Sequence, residues 1–161
     1  MVAAHAGVSR DGADLEARVV VESSEVEPQL GAGEIEVRVR AEAGQLFMLR
    51  AVAETVLLSA DFTLDVVTDV RVALDEVATA LIGTAVPDSA LDCEFHYDAD
   101  AIGVAVRALT ESGAGPVEGG LGWHMLEALT DAVESATEPY DPQRAGYPVT
   151  VRFTRFRRSS R

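Results

Sequence analysis

Hydrophobic and polar positions along this chain fall into two periods. Over residues 34–40, Ile35, Val37 and Val39 alternate with charged neighbours, which predicts a half-buried strand. The spacing then changes to three and four. Over residues 44–60, Leu46, Leu49, Val52 or Ala53, and Val56 make one apolar stripe on a helix. After a break at Asp61, Phe62 and Thr63, a second helix starts near Thr63 or Leu64. Thr63 is a suitable N-cap there, and Asp65 suits the positive end of the helix dipole. Its stripe is Leu64, Val67, Val70, Leu74, Val77 and Leu81. It ends around Gly83, and Pro87 stands beyond as a stop.

The period of two then returns. Residues 91–99 alternate Leu91, Cys93, Phe95 and Tyr97 against Asp92, Glu94, His96 and Asp98. Residues 101–109 form the partner strand across a tight turn at Ala99 and Asp100. A glycine-rich flexible loop is expected over residues 110–122. A third helix is expected over residues 121–135, with Leu121, Met125, Leu129 and Ala132 or Val133 inward. A final strand covers residues 147–156. This order places helices on one face of a mixed or antiparallel sheet, an α+β two-layer sandwich. Residues 1–31 lack sustained periodicity and are expected to form a mobile acidic arm, in which Val19–Val21 could add an edge strand. Residues 32–157 form the domain, and residues 158–161 a basic tail.

Composition narrows the class. The chain has 161 residues, 48% of them hydrophobic, which fits one domain with a sizeable core. No apolar run approaches the roughly 20 residues of a spanning helix, and residues 1–18 lack a signal-peptide core. No membrane association is expected, and the expected address is cytoplasmic. Asp and Glu number 27 against 13 basic residues, a net charge of −14, so phosphate backbones are poor partners and direct nucleic-acid binding is not expected. Basic partners suit such a surface better. Every basic residue is Arg. Without Lys, neither a P-loop nor the usual protein-kinase strand lysine is available. Arg152, Arg155, Arg157, Arg158 and Arg161 cluster in the last ten residues, where a solvated strand end and tail are expected.

Few residues offer chemistry. His5, His96 and His124 show no metal-ligand spacing, so no metal site is expected. Cys93 lies on an apolar strand face and is read as a small buried hydrophobe. No G-x-S-x-G elbow occurs. Two features remain: the acidic pair Asp75–Glu76 on the second helix, and the glycine loop running into GGLGWHMLEAL. Amides at a glycine-rich helix start favour an anion such as phosphate.

Together, DVRVALDEVATALI over residues 69–82, the glycine loop, and GLGWHMLEALTDAVE over residues 120–134 resemble the RsbW-type anti-sigma factors, above all their actinobacterial branch. These are members of the histidine-kinase-like (GHKL) ATPase superfamily, and the likeness spans roughly residues 34–157. The resemblance implies that superfamily's two-layer sandwich, with a mixed sheet and helices on one face. It also implies ATP and Mg²⁺ as cofactors, with Glu76 as general base and Glu111, Gly113, Gly115, Gly120 and Gly122 as nucleotide contacts. The family's Asn, one helical turn after the Glu, is Ala80 here, and a methyl group cannot ligate Mg²⁺. Glu111 stands for the family's adenine-reading Asp, and Trp123 for a small aliphatic residue. The implied function is sequestration of an alternative sigma factor by a homodimer, with release by an anti-anti-sigma factor. Alternatives are an ATP-dependent serine kinase acting on that antagonist, and a degenerate scaffold module of the same fold.

Overall fold

The alternating segments pair into one sheet, and the helical segments cover a single face of it. The computed structural model describes residues 18–22, by their backbone, and residues 32–157. The expectations for the rest of the arm and for the basic tail, and for His5, Arg158 and Arg161, lie outside the described residues. The elements run β1 (Arg18–Glu22), β2 (Gly33–Arg40), α1 (Leu46–Ser59), α2 (Leu64–Ile82), β3 (Ala90–Tyr97), β4 (Ala101–Thr110), α3 (Leu121–Leu129), β5 (Ala132–Thr137) and β6 (Tyr147–Phe156). A short 3-10 turn over Ala43–Gln45 leads into α1.

The six strands lie in the order β1-β2-β3-β4-β6-β5. Every neighbouring pair is antiparallel, so the mixed sheet is corrected to an antiparallel one. The reason is topological. Two helices between β2 and β3 return the chain to the side it left, so β3 runs back along β2. One helix between β4 and β5 leaves those two strands pointing the same way, but β6 inserts between them and pairs antiparallel with both.

The helix α2 is the middle of the core. Val66, Val67, Val70, Ala73, Leu74, Val77, Ala78 and Leu81 are buried along it, so its expected stripe holds except at Leu64, which is 72% exposed. Leu64 is the first helical residue and points away from the core, while Val66 and Val67 of the same turn are buried. Thr63 accepts a hydrogen bond from the Val66 amide, as an N-cap should. On α1, Leu49, Ala53, Val56 and Leu57 face inward. Val37, Val39, Leu91, Cys93, Phe95, Val104, Val106, Val151 and Phe153 supply the sheet side of the same core.

The third helix departs most from expectation. It stops at Leu129, and residues 132–137 form β5 beside β6. Thr130 is extended, its hydroxyl donating to the Leu126 carbonyl, while the Asp131 amide donates to the Thr154 carbonyl. The edge of β6 offers a ladder that a helix here would leave unmade. The inward face is also rotated. Leu121 is 87% exposed and Met125 is exposed, whereas Trp123 and Leu126 are buried and Leu129 is partly so. Burying the indole removes the larger apolar area, and Glu127 Oε1 accepts from its Nε1 at 3.1 Å.

The arginines of β6 are not simply solvated. Arg155 donates to Asp69 on α2 and to Asp131 at the head of β5, each at 3.1 Å. Arg157 lies 3.8 Å over the Phe62 ring and donates to the Asp98 carbonyl.

Two outcomes test this packing. Leu74→Ala, at a fully packed α2 position, should cost about 3 kcal/mol of unfolding free energy, read as a lower urea midpoint with an unchanged slope. Burial pushes the Cys93 thiol up to about 12. It should therefore resist thiol reagents at pH 8 in the folded protein and react at once in denaturant.

Candidate functional site

The two features singled out in the sequence meet at the junction of α2 and α3. Asp75 and Glu76 point to different neighbours. Arg50 Nε on α1 donates to both Asp75 oxygens at 2.7 and 2.8 Å, so Asp75 ties the two long helices together. Glu76, half-buried, faces α3 instead. A Cβ added at Gly122 would lie 2.1 Å from Glu76 Oε1 and 3.1 Å from its carboxyl carbon. The first turn of α3 meets the carboxylate across the bare Cα of Gly122, where a side chain would push the end of Glu76 aside. Ala80 follows one turn along α2.

The glycine loop is fastened rather than loose. Thr110 is the one buried polar residue found among the described residues. Its hydroxyl accepts from the Gly113 amide and donates to the Tyr147 carbonyl. Thr84 donates to the Ala114 carbonyl at 2.9 Å, and Thr137 to the Gly113 carbonyl at 3.0 Å. Gly113 has φ +72°, a conformation suited to glycine. A Cβ there would stand 3.2 Å from Thr137 Cγ2. One at Gly115 would stand 3.2 Å from Val149 Cγ1. Gly120 caps α3 with extended backbone. Glu111 is exposed, and its amide donates to the Thr84 carbonyl.

Glu76, Gly120 and Gly122 are thus brought together, while Gly113 and Gly115 pack on the sheet and Glu111 turns to solvent. The three threonines escape a motif search because each binds a backbone atom at least 24 residues away. Trp123 and His124 share the Glu127 carboxylate, the His124 Nδ1 lying 3.2 Å from it.

A second cluster lies on the open face of the sheet. Glu34 pairs with His96 across β2 and β3, and Glu94 sits two residues before His96 on the same face. One ligand atom from each of the three lies within 4.8 Å of the others, a set that could hold a cation. Glu94 also binds Arg107 at 2.7 Å. Sequence spacing hides this group because Glu34 stands on another strand.

The fold and junction define an α+β domain with one layer of helices on an antiparallel sheet, whose other face is open among the described residues. No family model matches the chain. It is 31% identical over 132 residues to the anti-sigma-F factor RsbW of two Mycobacterium tuberculosis strains, CDC 1551/Oshkosh and ATCC 25618/H37Rv. The match covers 82% of this chain and 79% of each relative. The chain belongs to the RsbW-type anti-sigma factor family. Among the described residues, no helix is long and apolar enough to cross a membrane.

The hydrogen bond from His96, with the Arg107 guanidinium beside it, holds the Glu94 carboxyl below its ordinary 4.5 against the opposing effect of burial. Asp98 is lowered as well, by the amides of Asp100 and Ala101. A carboxyl depressed in the folded state stabilises the fold above its unfolded value and loses that contribution as pH falls through the folded one. Glu94→Gln should therefore lower the melting temperature at pH 7, and the difference should shrink and vanish as pH falls below the depressed folded-state value.

Proposed function

We propose that this chain binds and sequesters an alternative sigma factor. The carrying observation is its membership of the RsbW-type family through an alignment that spans nearly the whole domain. The net charge of −14 suits a client with a basic surface. Val117 and Leu121, 75% and 87% exposed, add apolar surface where the glycine loop enters α3.

Finer parts of the proposal come from the resemblance. The domain is of the histidine-kinase-like ATPase type, it works as a homodimer in the cytoplasm, and an anti-anti-sigma factor competes for it and releases the client. It contacts neither nucleic acid nor membrane directly. The kinase reading is not favoured, because Ala80 supplies no oxygen where the family's metal ligand stands.

The test mixes the purified chain with each alternative sigma factor of its own cell. One of them should co-elute as a stoichiometric complex in size-exclusion chromatography, and transcription from its promoters should fall as the chain is titrated in. Failure of every sigma factor to bind would overturn the proposal and leave the scaffold reading.

A further inference from the structure

We infer that this chain holds its partner without nucleotide, because its own residues fill the α2–α3 junction where the resemblance places magnesium–ATP. The inference concerns the control of that junction and rests on the family reading only for where a nucleotide would go.

The fit fails at three points. A phosphate at the head of α3 would use the space against Gly122, and the Glu76 carboxylate already stands there, 2.1 Å from where a Cβ would be. A second anion at that spot would meet a like charge at contact distance. The metal fares no better. Mg²⁺ takes oxygen ligands in near-octahedral array, and the position one turn after Glu76 is the methyl group of Ala80. The hydroxyl of Thr84, farther along, is engaged with the Ala114 carbonyl.

The third point concerns why the glycines are there at all. Gly113 and Gly115 lie against Thr137, Tyr147, Val149, Ser135 and Leu81, so their missing side chains let the loop settle on the protein's own sheet and helix. Gly122 lets α3 approach Glu76. Close packing within the chain thus accounts for Gly113, Gly115 and Gly122, whereas Gly120 lies over the Val117 carbonyl of its own loop and Gly119, at φ +78°, faces open space. Glu76 acts here as a positioning residue at the α2–α3 contact, with no substrate to deprotonate.

Two measurements on the full chain decide the matter. Millimolar magnesium–ATP should leave the melting temperature unchanged and show no saturable heat in calorimetry. A saturable, magnesium-dependent isotherm with a Kd below about 1 mM would overturn the inference. A sigma-factor complex formed equally with and without ATP would support it, and release by ATP would sink it. Because nucleotide is titrated against the isolated chain, its result stands even if no sigma factor binds. The second measurement probes the Glu76–Gly122 contact. Alanine is the better helix former, so Gly122→Ala should raise the melting temperature in a Glu76→Ala background and raise it less, or lower it, in the parent. Equal effects in the two backgrounds would show that Glu76 does not lie against Gly122.

Discussion

Everything else in this domain hangs on the burial of α2. Eight of its nineteen residues are buried, and none of the eight is polar. Burying a Val or Leu side chain stabilises by roughly 1.5–3 kcal/mol, so this face outweighs any one polar contact in the molecule. The helix is also where the other elements attach. Arg50 fixes α1 to it through Asp75, Arg155 fixes β6 to it through Asp69, and Gly122 sets α3 against Glu76. Leu81 and Thr84 hold the glycine loop at its far end.

Polar groups refine this arrangement rather than create it. Arg155, with little of its side chain exposed, meets two carboxylates and closes the seam between α2 and the β5–β6 hairpin. The pairs on the open sheet face, Arg38–Asp92, Arg107–Glu94 and Arg152–Glu134, join neighbouring strands where water has access. Exposed pairs of that kind are worth little individually. They set Arg38, Arg107 and Arg152 among the carboxylates of that face, so that charges of opposite sign alternate across it.

The junction of α2 and α3 sets an acidic side chain of one helix against the glycine-rich start of another. Packing within the chain accounts for Gly113, Gly115 and Gly122, while Gly119 faces open space. An acidic side chain beside a helix start satisfies the same dipole that a phosphate would.

Much of the fold was legible in the chain because its periods are local. The alternation at residues 34–40 and 91–97 and the three-four spacing of α2 depend only on which face of one element is buried, and both survive in the structure. The Asp75–Glu76 pair and the glycine run were legible as features for the same reason. Three matters were decided by tertiary contact. Residues 132–137 could extend a helix or pair as a strand, and the open hydrogen-bonding edge of β6 chose the strand. The inward face of α3 was set by the indole of Trp123 against the core, not by Leu121 and Met125. That Glu76 stands against Gly122 depends on how closely α2 and α3 approach, and no local pattern records that distance.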